Sequence, residues 1–217
     1  TTFSVSPTRI DLKASMTSSL ITVVNTGVAA ARFQVSAYAW DQSVDGSMRL
    51  EETRAIVFYP PLVEIGPGDS KRIRVGTTLP FGRLEQTFRL FVEELPNNVE
   101  QAPELGVHVR ARMGIPIFVG GVASPPAAIL EDVTVADGHV SLRLRNAGSV
   151  HLGPPSVLVT GLSASNTVVF EQQIPAWYLL AQHALSLSAD VDCARCAGVS
   201  QLQIVARFEG GFAATSR

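Results

Sequence analysis

Residues 104–118 read Glu-Leu-Gly-Val-His-Val-Arg-Ala-Arg-Met-Gly-Ile-Pro-Ile-Phe, and the odd positions Leu105, Val107, Val109, Ala111, Met113, Ile115 and Ile117 are all apolar. Even positions carry Glu104, Gly106, His108, Arg110 and Arg112 before turning apolar again. A period of two sustained this long means an extended strand with two chemically different faces. Strands in globular proteins are usually only ~5–6 residues long, so this one is expected to overhang its partner within the fold. An overhanging strand, aliphatic on one face and basic on the other, is suited to pairing with another chain. The plainer alternative is that the aliphatic face packs on the strand's own core, as in any sandwich.

The remaining sequence is written in the same vocabulary. Helical periodicity is nearly absent, and turn residues recur at the spacing of a β-sandwich. Phe3, Val5, Ile10 and Leu12 alternate around Pro7, whose missing N–H marks an edge or a change of sheet. Arg32–Trp40 places Phe33, Val35, Ala37 and Ala39 on one face and Tyr38 and Trp40 on the other. About seven strands are expected in the first ~118 residues, the number in an immunoglobulin-like sandwich. The Gly/Pro-rich stretch after Phe118 places a hinge at 120–126, between a first domain at 1–119 and a second at 127–217. In the second, Asp137-Gly138 between two alternating runs is a strong hairpin signal, while Gly210-Gly211-Phe212 reads as a fraying tail. The expected fold class is all-β, with two immunoglobulin-like β-sandwich domains arranged around a cleft.

Several function classes are disfavoured. A net charge of −2 with scattered arginines gives no nucleic-acid footprint. No apolar run reaches the ~18 residues of a membrane span. The chain opens directly in a strand-like pattern, as a mature chain with its targeting segment removed would. His108, His139, His151 and His183 lack ligand-like spacing, so no metal site is expected. Cys193 and Cys196 have redox-motif spacing without the βαβ setting such chemistry uses; the spacing also permits one short structural disulfide. There is no nucleophile elbow and no phosphate-binding glycine loop, so neither a catalytic residue nor a cofactor is expected.

Several local patterns occur in an order that resembles one family. They are Ser6-Pro-Thr-Arg-Ile10, Val23-Val-Asn-Thr26, Trp40 at the end of a long strand, Tyr59-Pro-Pro-Leu62, the turn Ile65-Gly-Pro-Gly-Asp-Ser-Lys71, and Phe91-Val-Glu-Glu-Leu-Pro96. Together they are similar to the amino-terminal domain of the periplasmic pilus-assembly chaperones of the chaperone–usher pathway (PapD-like). The resemblance covers residues 3–118, with weaker support from Asn146-Ala-Gly-Ser-Val-His-Leu152.

That resemblance implies a periplasmic protein that is not an enzyme. It would bind, fold and cap pilus subunits, which are incomplete immunoglobulin folds, and deliver them to an outer-membrane usher. Its own G strand would be lent to the subunit, a case of β-strand addition, with Leu105, Val107, Val109 and Ala111 as the donated side chains. The family anchors the subunit's terminal carboxylate with two basic residues. Arg9 matches the first position and Arg112 the second, with Arg110 as its same-face neighbour. The run Arg110-Ala-Arg-Met-Gly-Ile-Pro departs from the family's usual lysine pattern and looks more like its divergent archaic branch. Separately from the resemblance, if the strands on either side of the 96–104 loop pair antiparallel, opposed positions sum to about 200, which sets Arg89 across from residues 111–112. An uncovered aliphatic strand would also allow two free copies to pair. The alternative reading is a structural or adhesive surface protein of two immunoglobulin-like domains.

Overall fold

A computed structural model of the chain describes residues 3–96, 110–122, 127–136, 138–191, 198–209 and 213–216. Its secondary structure is almost wholly β, as the alternating patterns require. Contacts divide the chain into two compact units. The first comprises Thr1–Trp40, Leu50–Gly82 and Gln86–Gly121; the second comprises Asp41–Arg49, Arg83–Glu85 and Val122–Arg217.

The first unit is a sandwich of two sheets. Strands β1 (Phe3–Ser6), β3 (Ser18–Asn25), β8 (Ser70–Thr77) and β6 (Ile56–Tyr59) form one sheet in the order β1-β3-β8-β6. The other runs β2 (Ile10–Leu12), β10 (Arg112–Val119), β9 (Gln86–Glu94), β4 (Ala31–Gln42), β5 (Met48–Glu52), with β7 (Leu62–Ile65) also on β4. The change of sheet expected at Pro7 occurs there: β1 pairs β3 antiparallel, while β2 joins the opposite sheet, parallel to β10. Between the sheets lies an aliphatic core that includes Ile21, Val23, Phe33, Val35, Ile73, Leu90, Ile115 and Ile117. Ala37 and Ala39 pack against it, so β4 presents the inward face expected from its alternation. Met48–Glu52 is a strand that alternation does not reveal, because all five residues are exposed; it forms by continuing the β4 hairpin.

In the second unit, β11 (Ala128–Ala136), β12 (His139–Asn146) and β15 (Ala184–Asp190) make one sheet. β14 (Val168–Pro175), β13 (Ser156–Leu162), β16 (Gln201–Arg207) and β17 (Ala213–Ser216) make the other. Ala136 faces His139 across the expected two-residue hairpin. Beyond residues 210–212, which lie outside the described residues, Ala213–Ser216 pairs with β16, so the end of the chain extends the sheet. Both units use a buried asparagine as the last residue of a strand. Asn25 donates to the carbonyls of Ala29 and Ile65 and accepts from Gly27 N–H, and Asn146 treats Val150, Leu179 and Gly148 in the same way. Each amide satisfies backbone groups that the turn leaves unpaired.

Candidate functional site

The face of the β2-β10-β9-β4-β5 sheet that points away from the first unit's core carries the arginines. Register sets this arrangement, because side chains on directly opposed residues share a face. Pro116 pairs with Arg89, which pairs with Tyr38 on β4. The parallel ladder of β2 begins with Ile10 opposite Ile117, so Arg9 lies at the head of β2, one step back along the line that meets Pro116. A row of Arg9, Pro116, Arg89 and Tyr38 therefore crosses four strands. On one side of it lie Gly114 and Phe91 opposite each other, then Arg112 opposite Glu93. On the other lie Asp11 and Phe118, with Trp40 beyond.

Arginines and aromatic rings interleave across this face. The Arg112 guanidinium carbon lies 3.8 Å from the centroid of Phe91, and that of Arg89 4.6 Å from Trp40. Trp40 and Phe118 rings are 6.2 Å apart, and Tyr38 meets Phe91 edge-on at 5.8 Å. Arg89 is 6% exposed and donates from Nη1 to the Gly114 carbonyl at 3.4 Å. Arg9 and Arg112 stay accessible, with 40% and 45% of their side-chain surface exposed. Arg9 Nε donates to Asp11 at 3.0 Å, and Arg112 Nε lies 3.6 Å from the Glu93 carboxylate. Exposed ion pairs of this kind contribute little, roughly 0–1 kcal/mol, so either arginine can exchange its carboxylate partner cheaply.

The backbone of β10 adds an open edge. Glu94 N–H donates to Ala111 C=O, and Gly120 N–H donates to Leu12 C=O. Alternate residues therefore direct their backbone groups to opposite sides: odd positions to β9, even positions to the side of β2. Among the described residues β2 pairs with Ile117–Val119 of β10. Among the described residues no strand pairs with that side of β10 at Arg112 and Gly114. Pro116, which has no N–H, also falls on this side, so its ring removes no bond to β9.

The residues expected to form the site are partly brought together. Arg9, Arg89 and Arg112 share one face, and Arg110 precedes β10 as an exposed residue. The position expected for Arg89 is corrected. Opposed residues of β9 and β10 sum to 205, not to about 200, so β10 is displaced by about five residues along β9 from the expected alignment. Arg89 thus lies across from Pro116, and Glu93 takes the place opposite Arg112. Ala111 is half-buried and packs against the first unit's core. Leu105, Val107, Val109, His108, Cys193 and Cys196 lie outside the described residues. Glu93, Phe91 and Gly114 were not anticipated as part of the site. The parity of the β9–β10 register was the signal for them, and only a known connection length supplies it.

The two units define an all-β, two-domain immunoglobulin-like fold; in the first, β10 has an edge that no described strand covers at Arg112 and Gly114. The family model for the pili and flagellar-assembly chaperone, PapD N-terminal domain, matches residues 2–120. The chain belongs to this family of pilus chaperones, whose members are not enzymes. Among solved structures it is similar to a chain of the CsuC–CsuE chaperone–tip adhesion subunit complex from archaic chaperone–usher Csu pili of Acinetobacter baumannii. That match has 21% identity and a TM-score of 0.65, covering 100% of this chain and 97% of that one. The Escherichia coli chaperone DraB is similar at 16% identity and a TM-score of 0.62, over 99% of this chain and 94% of that one. The Pseudomonas aeruginosa CupB2 chaperone is similar at 13% identity and a TM-score of 0.60, over 98% of each chain. At these identities the likeness is one of fold. No curated protein sequence matches the chain.

Proposed function

We propose that this protein is a periplasmic chaperone that captures, folds and caps pilus subunits by lending them the strand that leads into β10, and then delivers them to an outer-membrane usher. The observation that carries this reading is the open edge of β10 at Arg112 and Gly114, which stops where β2 and Arg9 begin. A segment entering that edge lies in line with β2 and ends against Arg9. If its carboxyl end meets Arg9, it runs in the same direction as β2, parallel to β10. Main-chain hydrogen bonds along the edge then supply affinity, and alternate side chains supply fit.

In this reading Arg9 and Arg112 hold the subunit's terminal carboxylate, with Arg110 beside them and Arg89 behind them. A guanidinium fork suits a carboxylate bidentately. Leu105, Val107 and Val109 enter the subunit's groove, each contributing roughly 1.5–3 kcal/mol if fully buried there, and Ala111 marks the end of the lent stretch. Residues 1–119 and 127–217 act as domains about a hinge at 120–126. A free copy can cover the same edge by pairing with a second copy. The partner class is supported by the CsuE tip subunit in the A. baumannii complex. Amide exchange along β10, with and without a bound pilus subunit, tests the reading: the Arg112 and Gly114 amides slow on capture.

A further inference from the structure

We infer that Phe91, seated over Gly114, is the positioning residue that fixes the Arg112 guanidinium for carboxylate binding; this rests on the anchoring role proposed above for Arg112. Arg112 pairs with Glu93 and Gly114 pairs with Phe91, both in the closely spaced, non-hydrogen-bonded geometry that brings cross-strand side chains together. Phe91 is buried at 8% exposure, and its Cε1 lies only 2.8 Å from where a Cβ on residue 114 would stand. The absent side chain of Gly114 is thus what lets the ring lie down across β10. The Arg112 guanidinium carbon rests 3.8 Å from the ring centroid, and the Tyr38 ring braces Phe91 edge-on at 5.8 Å.

One contact chiefly restrains this flexible side chain: the face of Phe91 sets the plane of the guanidinium, while Glu93, 3.6 Å from Nε, is an exposed partner that adds little. The paired Nη atoms are the part of the fork left to meet an incoming carboxylate. A guanidinium held this way has already lost the rotamer freedom that binding would otherwise remove. A lysine ammonium has no plane to stack and cannot use such a platform in this way.

The test uses the full chain and two synthetic peptides, a pilus-subunit carboxyl-terminal sequence with a free α-carboxylate and the same peptide as its terminal amide. The readout is the ratio of their dissociation constants. Loss of a cation–π support of the strength usual at an exposed site lowers that preference for the carboxylate about 2- to 5-fold. Phe91→Leu, Gly114→Ala and Arg112→Lys each show that loss, while Phe91→Tyr retains the wild-type ratio. Should Phe91→Leu fail to fold, Arg112→Lys, an exposed change that keeps the charge, carries the test. If Arg112→Ala abolishes the preference while Arg112→Lys and Phe91→Leu keep it, the platform is refuted and the anchor stands. If Arg112→Ala also keeps it, Arg112 is not an anchor and the inference falls with that reading.

Discussion

Replacing Arg9 by alanine isolates the end of the proposed binding line. Arg9 lies at the head of β2, and its Nε donates to Asp11 at 3.0 Å. A hydrogen bond to a charged group is worth about 1.5–3 kcal/mol. The Arg9 side chain is 40% exposed, and screening at such a site brings the gain towards the low end of that range. Exchange with Asp11 offsets part of it. The net loss on Arg9→Ala is therefore on the order of 1–2 kcal/mol, or about 5- to 30-fold in dissociation constant. The loss falls on a peptide with a free terminal carboxylate and spares its amide, and calorimetry on the two peptides measures both. Folding stability moves by less than ~0.5 kcal/mol, because the side chain is at the surface. Equal weakening of both peptides, or of neither, refutes the idea that Arg9 reads a carboxylate.

Two further outcomes concern the second unit. Burial pushes the Asp41 carboxyl up, but hydrogen bonds from His183, Gln42 N–H and Arg49, with the charge on His183, outweigh it and hold its pKa below the ordinary 3.8. A carboxylate with a depressed pKa adds stability that is present above its unfolded pKa and lost as pH falls through the folded one. Urea midpoints should therefore fall below about pH 4 in the wild type, and fall less steeply in Asp41→Asn. Gly161→Ala would place a Cβ 2.3 Å from Phe170 Cε1, within the second core. Overpacking of this kind costs roughly 1–3 kcal/mol, and a melting temperature lowered by several degrees is the expected result.

The fold was legible where each residue pair repeated one message. Phe33 and Val35 against Tyr38 and Trp40 gave both faces of β4, and Pro7 narrowed its position to an edge or a change of sheet, of which the second occurs, because a missing N–H has few places to go. Met48–Glu52 carried no message, since a strand exposed on every residue has no reason to alternate. Arg9 and Arg112 enter as candidate anchors through family resemblance rather than spacing. What joins them on one face is the parallel register of β2 against β10, and the register of β9 against β10 brings Arg89 to the same face; register depends on connections whose length periodicity cannot supply. The same gap hid Phe91 and Gly114. An aromatic residue in one strand and a glycine in another reveal nothing of each other until the two strands are aligned.

Subunit capture as proposed engages one edge of β10, and amide hydrogen exchange across that strand addresses it most directly. Met113, Ile115 and Ile117 direct their N–H groups to β9 and serve as internal controls, protected with or without a partner. Arg112 and Gly114 direct theirs to the edge that no described strand covers. If β10 is the lent strand, adding a pilus subunit slows exchange at Arg112 and Gly114 and leaves the controls unchanged. Binding that leaves these two amides exchanging as in the free protein would contradict it, and would place the subunit on another surface.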